Sequence, residues 1–273
     1  MSAIPESQPA TGLERIAEAF SSARADGRRA ALMPYLMGGF PDLETSRRIG
    51  VAYAESGADL VELGVPFSDP LADGPVIHAA GIAALRAGAT LPSVLEAGAQ
   101  IARHIPVVVM CYSNLILARG LERFTDALVA AGVSGLIVPD LPLEEAPDTL
   151  AACDARGIAL VPLVAPTTPE ARLAAIGSRA RGFLYTVSLT GTTGERAQIG
   201  AGLESVIARA AAHTEVPVAV GFGISTPEQA SAAADAGADG VIVGTRLVRA
   251  AGEERDPTAA IQTLVRQFSD ALT

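Results

Sequence analysis

The feature of this sequence that most constrains its fold is a repeated alternation between short apolar runs and longer alanine-rich stretches. Eight apolar runs recur, and each predicts a strand buried on both faces, as the strands of a parallel sheet are. The runs cover residues 31–37, 59–65, 105–111, 135–140, 159–164, 182–188, 217–223 and 240–245. The stretches between them have the spacing of amphipathic helices, and many end in a glycine that suits a helix C-cap.

Eight strand–helix units in a chain of 273 residues predict an α/β protein with a single (β/α)8 barrel, the TIM barrel fold. Residues 12–26 predict an extra helix ahead of the first strand. The long interval after the second strand predicts another extra helix, in VIHAAGIAALRAG. We expect a flexible tail over residues 1–12 and one barrel domain over residues 13–273. A doubly wound open sheet is the main alternative fold.

The charged residues argue against several kinds of function. A net charge of −10 disfavours nucleic acid or an anionic membrane as a partner. All 20 basic residues are arginines, so the chain cannot form a lysine Schiff base, anchor pyridoxal phosphate on its own lysine, or build a P-loop. The histidines, His78, His104 and His213, lie far apart and fit no metal-ligand pattern, so we expect no metal.

Three further absences indicate where the protein works. No apolar run approaches the roughly 18 residues that span a bilayer. The N-terminal residues lack the basic and apolar regions of a secretory signal. Cys111 and Cys153 are too few for a disulfide framework. We therefore expect a cytoplasmic protein.

The segment VELGVPFSDPLADGP, residues 61–75, places carboxylates where a barrel carries its active site. Glu62 lies near the end of the second predicted strand, and burial there would raise its pKa towards neutrality. Asp69 and Asp73 follow in a loop restricted by three prolines. An ion-paired structural glutamate and ordinary turn aspartates are the alternatives. Two carboxylates at one barrel mouth favour proton transfer, because one can carry a proton while the other stays ionised.

The last two predicted strands both end in glycine, which indicates a phosphate site. Gly221 and Gly223 end the seventh strand, and Gly244 with Thr245 ends the eighth. Each end runs into a helix start, where free backbone N–H groups can bind an anion.

Residues 188–200, SLTGTTGERAQIG, carry glycines and hydroxyl groups and few apolar anchors. They predict a closing lid with Gly194 towards the phosphate. Tyr185 comes just before this segment and is placed either in the core or at the barrel mouth. The residues alone thus predict an enzyme that transfers protons on a small phosphorylated molecule.

Several motifs, in the same order, resemble those of the tryptophan synthase alpha subunit family, the indole-3-glycerol-phosphate lyases. The resemblance runs from about residue 14 to the C-terminus, and VELGVPFSDPLADGP is its most specific part. The strand-one segment MPYLMGGFPD, the strand-four segment VPDLPLEEA and the lid segment SLTGTTG are similar to family motifs. GFGIS and GVIVGT resemble its phosphate loops.

The resemblance implies a role for each candidate residue. Glu62 would be the general acid and base, and Asp73 would accept a hydrogen bond from the indole N–H and stabilise positive charge on the ring. Contacts to the glycerol phosphate would come from Tyr185, Gly194, Gly223, Gly244 and Thr245. Walls of the indole pocket would come from Tyr35, Ile77 and Ile137.

The resemblance also implies the reaction and its partners. The substrate would be indole-3-glycerol phosphate, cleaved in a retro-aldol step to indole and D-glyceraldehyde 3-phosphate, late in tryptophan biosynthesis. The chain would hold no cofactor, with pyridoxal phosphate only on a partner beta subunit that receives the indole in an α2β2 tetramer. Asp140 and residues 112–114 fall where the family meets that subunit or orients its loops.

Small departures from the family pattern affect the indole pocket. Met37 stands where many members have threonine, Tyr35 where phenylalanine is frequent, and Thr245 where serine is common. Three alternative functions remain: a free-standing lyase, another phosphate-binding barrel isomerase, and a non-catalytic activating subunit. An isomerase of that kind would need an aspartate at the end of strand one, and intact Glu62 and Asp73 argue against a decayed site.

Overall fold

A computed structural model describes residues 10–187, 202–221 and 223–273. Within those ranges the chain forms nine strands and twelve helices. The strands are β1 Ala31–Met37, β2 Val61–Gly64, β3 Val107–Met110, β4 Gly135–Ile137, β5 Ala159–Leu160, β6 Leu163–Val164, β7 Leu184–Val187, β8 Val218–Gly221 and β9 Gly240–Val243. The helices are α1 Gly12–Ala25, α2 Leu43–Glu55, α3 Pro75–Arg86, α4 Leu91–Ile101, α5 Ser113–Leu117, α6 Leu121–Ala130, α7 Pro147–Asp154, α8 Glu170–Gly177, α9 Leu203–Ala211, α10 Pro227–Asp235, α11 Thr245–Glu253 and α12 Pro257–Ala271.

The strands are parallel and follow the order β5-β4-β3-β2-β1-β9-β8-β7-β6. β5 and β6 are two halves of the single strand predicted at residues 159–164, interrupted where Pro162 lacks a backbone N–H. The N–H of Val161 donates to the carbonyl of Leu136, and the carbonyl of Pro162 accepts from the N–H of Tyr185. The interrupted strand therefore joins both edges of the sheet, and the predicted eight-stranded barrel is confirmed.

Both predicted extra helices are present. α1 starts at Gly12, where Thr11 and Glu14 form a capping box. Its buried Ile16 and Phe20 pack in the barrel interior, and the Phe20 ring lies 6.0 Å from that of Phe183. Two helices, α3 and α4, follow β2, and α3 is the extra helix predicted there. The sequence missed the short α5. The helix start predicted at Gly244 and Thr245 is present as the first residues of α11. The tail predicted over residues 1–12 falls mostly outside the described residues.

The barrel separates two apolar layers. Side chains that face the helices, such as Val61 and Leu63 of β2, form one cluster with residues of the surrounding helices. Side chains that face inward form a second cluster, which α1 covers at the amino ends of the strands. The opposite end, where the strands end and the loops begin, therefore remains for a site. Within the described residues, none of the helices combines the length and the apolar character that a membrane span requires.

Candidate active site

Glu62 points into the barrel at its mouth. Its neighbours along β2, Val61 and Leu63, pack against the helix layer, and alternation along the strand turns Glu62 to the opposite face. The side chain is buried, and its Oε2 atom has no hydrogen-bond partner among the described residues. Burial, and secondarily the charge of Asp73, raises the pKa of Glu62 to about 8. This carboxyl group can therefore take up and release a proton near neutral pH.

Asp73 faces the same cavity from the loop between β2 and α3. It is half-buried, and the Tyr112 hydroxyl donates a hydrogen bond to its Oδ1 at 2.9 Å. Burial raises the pKa of Asp73, while the hydrogen bond from Tyr112 and the nearby His78 oppose that rise. The two predicted carboxylates are thus brought together with different surroundings, one with an unpartnered oxygen and one held by a tyrosine.

Two tyrosines complete the inner wall, and each lies over a glycine of the neighbouring strand. Parallel pairing sets Tyr35 beside Glu62, and its hydroxyl lies above Gly64. The Tyr185 hydroxyl lies above Gly221 in the same way, where an added Cβ atom would lie 2.6 Å from it. Both tyrosines have a pKa raised first by burial, and the charge of Glu62 adds to the rise in each. Their hydroxyl groups therefore remain protonated donors beside the carboxylates.

Glycine backbone and a helix start also line the cavity. Gly244 is the N-cap of α11, and Thr245 is its first residue; Thr245 is buried and is one of the residues that line the cavity. Gly223 has φ +72°, a left-handed conformation that favours glycine. Free N–H groups at such a helix start bind phosphate well.

A single cavity of about 110 Å³ joins most of the predicted site. The predicted residues that line it are Tyr35, Glu62, Asp73, Ile77, Tyr185, Gly223, Gly244 and Thr245. Ile137 does not line it and packs instead in the inward-facing cluster. Gly194 and the rest of the predicted lid at 188–200 lie outside the described residues.

The sequence missed several apolar residues of this cavity. They are Met110, Pro139, Leu163, Val187, Ile224 and Ile242. Most of them lie near the ends of predicted strands, so their position along the strand could have indicated a place near the cavity. It does not indicate which side chains point inward. Asp69, in contrast, is exposed and accepts a hydrogen bond from Ser68.

A larger groove of about 590 Å³ lies between α7 and α8. Its lining is mainly apolar, and two of its charged residues are engaged in ion pairs, Asp154 with Arg181 and Arg172 with Glu144. We assign the chemistry to the smaller cavity, because Glu62 and Asp73 are there. Among the described residues, no group of three histidine, cysteine or acidic side chains is placed to hold a metal ion.

Comparison with known proteins gives one consistent family. A family model described as the tryptophan synthase alpha chain matches residues 20–272. The tryptophan synthase alpha chain of Prochlorococcus marinus (strain MIT 9313) is 49% identical over 236 residues, covering 86% of this chain and 86% of the relative. That of Synechococcus elongatus (strain ATCC 33912 / PCC 7942 / FACHB-805) is 46% identical, covering 94% and 96%.

Solved structures agree with the sequence comparison. A chain of Mycobacterium tuberculosis tryptophan synthase superposes with a TM-score of 0.87 at 39% identity, covering 94% of this chain and 98% of that one. A chain of the tryptophan synthase α2β2 complex of Pyrococcus furiosus superposes with a TM-score of 0.83 at 37% identity, covering 88% and 98%.

Proposed function

Because this chain belongs to the tryptophan synthase alpha chain family, the lyases that cleave indole-3-glycerol phosphate, we propose that Glu62 and Asp73 carry out that cleavage in the cavity at the barrel mouth. The observation that carries this assignment is the buried, unpartnered Oε2 atom of Glu62 beside a second carboxylate. A buried carboxyl oxygen without a partner is costly unless a ligand uses it.

The reaction breaks the bond between C3 of the indole ring and the glycerol side chain. It requires a proton on C3, which makes the ring an indolenine, and removal of the proton from the adjacent hydroxyl group. Glu62 serves both needs, since a carboxyl group with a pKa of about 8 can donate one proton and accept the other. The products are indole and D-glyceraldehyde 3-phosphate.

Asp73 stabilises the charge that develops on the ring. An ionised carboxylate that accepts a hydrogen bond from the indole N–H lowers the energy of a cationic ring in a site that excludes water. Burial raises the pKa of Asp73, and the hydrogen bond from the Tyr112 hydroxyl and the nearby His78 oppose that rise and favour the ionised form. Glu62 and Asp73 thus divide the work between proton transfer and charge stabilisation.

The substrate phosphate lies at Gly223, Gly244 and Thr245 in this proposal. None of the described lining residues is basic, so backbone N–H groups, the α11 N-terminus and the Thr245 hydroxyl supply the attraction. Gly194, outside the described residues, is a further proposed contact. Tyr185 borders the glycerol phosphate, and Tyr35 and Ile77 border the indole.

We further propose a partner beta subunit and an α2β2 assembly, as in the Pyrococcus furiosus complex. Two large apolar side chains near the mouth are exposed, Leu71 on the β2–α3 loop and Leu117 on α5. Asp69 lies on the same loop and adds a charge for docking. Pyridoxal phosphate would be bound by the beta subunit alone, because this chain has no lysine to anchor it. A cytoplasmic location fits two free, buried cysteines, Cys111 and Cys153.

The test is an indole-release assay on indole-3-glycerol phosphate, with and without the beta subunit. We expect low activity from the isolated chain and a rise on addition of the partner. A chain whose rate is insensitive to the partner would indicate a free-standing lyase, and a chain that releases no indole in either condition would contradict the proposed function.

A further inference from the structure

One tyrosine hydroxyl holds the loop that carries Asp73. The Tyr112 hydroxyl donates to Oδ1 of Asp73 at 2.9 Å and accepts a hydrogen bond from the backbone N–H of Ala72 at 3.0 Å. It therefore binds the backbone of one residue and the side chain of the next, although Tyr112 and Asp73 are 39 residues apart in the sequence. A contact at two points restricts both the position of the loop and the rotation of the carboxylate.

Tyr112 is itself held firmly. The residue is 3% exposed, and its ring stacks on Phe67 with the ring centroids 5.4 Å apart and 29° between the planes. The next residue, Ser113, donates from its backbone N–H to Oδ1 of Asp140 at 2.9 Å and from its hydroxyl to Oδ2 at 2.6 Å. The hydroxyl of Tyr112 is thus placed both by the ends of β3 and β4 and by stacking on Phe67 in the β2–α3 loop.

We propose that Tyr112 is a positioning residue for the cleavage reaction, which fixes Oδ1 of Asp73 so that Oδ2 faces the indole N–H. This inference rests on the proposed function, because it takes Asp73 as the group that meets the indole nitrogen. The hydroxyl also stabilises the ionised carboxylate, against the burial that favours the neutral acid. Among the described residues, the titratable groups that face Asp73 are Glu62 from β2, Tyr35 from β1, Tyr112 after β3 and His78 from α3.

Tyr112→Phe keeps the ring and its stacking and removes only the hydroxyl. In the complex with the beta subunit, and in the isolated chain, we expect kcat for indole release to fall about tenfold to a hundredfold, with KM little changed. The acid limb of the pH–kcat profile should shift to higher pH. Loss of the donor raises the pKa of Asp73, so on acidification the carboxylate becomes protonated earlier.

Tyr53→Phe is the matched control. Tyr53 is also buried, and its hydroxyl donates to the backbone carbonyl of Tyr35 at 3.0 Å rather than to Asp73. We expect a lower melting temperature in this variant and an acid limb at the wild-type position. Replacement of Tyr112 by 3-fluorotyrosine, which is a stronger donor, should move the acid limb to lower pH, and a shift in the opposite direction would contradict the inference.

Asp73→Asn separates the two proposals. Suppose that Asp73→Asn loses activity while Tyr112→Phe keeps the wild-type kcat and the wild-type acid limb. The inference about Tyr112 is then wrong, and the proposed function stands. Full recovery of Tyr112→Phe at saturating beta subunit also overturns the inference, since it would assign Tyr112 to partner binding. If Asp73→Asn keeps wild-type activity, the assigned role of Asp73 is wrong, and the inference about Tyr112 fails with it.

Discussion

The hydroxyl oxygen of Tyr35 lies so close over Gly64 that a Cβ atom on this glycine would stand 2.0 Å from it. The two residues lie on adjacent parallel strands, β1 and β2, and the register pairs Tyr35 with Glu62, two residues before Gly64. The absence of a side chain at Gly64 therefore lets the Tyr35 ring lean towards the barrel mouth, beside the carboxyl group that we assign to proton transfer.

Gly64→Ala should therefore displace Tyr35 and disturb the site. The added Cβ atom would also meet ring atoms of Tyr35 at 2.6 Å and 2.9 Å, in a packed region with little freedom to adjust. We expect a loss of about 1–3 kcal/mol in the free energy of unfolding and a lower rate of indole release. Urea denaturation and the indole assay measure the two effects.

Gly81→Ala is the control for that substitution. Gly81 lies inside α3, and its added Cβ atom would meet the Met37 side chain at 3.4 Å, an ordinary contact. Alanine in a helix interior should raise stability by about 0.5–1 kcal/mol. Equal stability and activity in the Gly64 and Gly81 variants would show that the close approach of Tyr35 has no consequence.

Glu62→Gln should abolish indole release and leave the fold intact. The amide keeps the size and polarity of the side chain but cannot exchange a proton, so we expect a loss of at least about a hundredfold in kcat. Glu55→Gln, at an exposed position on α2, provides the matched control and should keep the wild-type rate. Wild-type indole production by Glu62→Gln would exclude the proposed mechanism.

Glu62 should also make stability depend on pH. Its pKa is about 8 in the folded chain, against 4.5 for an ordinary glutamate, so between these values the folded chain holds a proton that the unfolded chain has lost. Stability should therefore decrease as pH rises from about 4.5 to about 8. Urea denaturation across this range should show a smaller decrease in Glu62→Gln than in the wild type, and equal slopes would show that Glu62 is not the group responsible.

Thr245→Val should weaken substrate binding through the phosphate. Valine keeps the shape of the side chain at the start of α11 but removes the hydroxyl group of a residue that lines the cavity. We expect KM for indole-3-glycerol phosphate to rise about tenfold, with kcat less affected, and competition by inorganic phosphate to weaken in parallel. Thr125→Val removes a buried hydroxyl on α6, which donates to the backbone carbonyl of Leu121 and does not line the cavity, and should leave both constants unchanged. An unchanged KM in Thr245→Val would remove Thr245 from the phosphate site.

Much of the barrel could be predicted, because its strands are continuous apolar runs whose burial does not depend on distant detail. The division of the fifth predicted strand into β5 and β6 at Pro162 could not be predicted. It depends on the partner of each half, since β5 pairs with β4 and β6 pairs with β7. The start of α11 could be predicted from the glycine that ends β9, whereas the short α5 was missed because it is a helix of only five residues directly after β3. In the candidate site, the roles of Glu62 and Gly244 could be predicted, because each stands out near the end of an apolar strand. Leu163 and Val187 could not be predicted as cavity residues, because both faces of such strands are apolar.

The sequence by itself determined the alternation of eight apolar runs with helices, the absence of lysine chemistry, and a carboxylate inside an apolar strand. These properties follow from residue type and local spacing. Only the tertiary structure decided that Tyr112 holds Asp73, that Tyr35 lies over Gly64, and that Ile137 lies outside the cavity. Such contacts join residues distant along the chain, and they depend on strand register and side-chain direction, which local sequence does not encode.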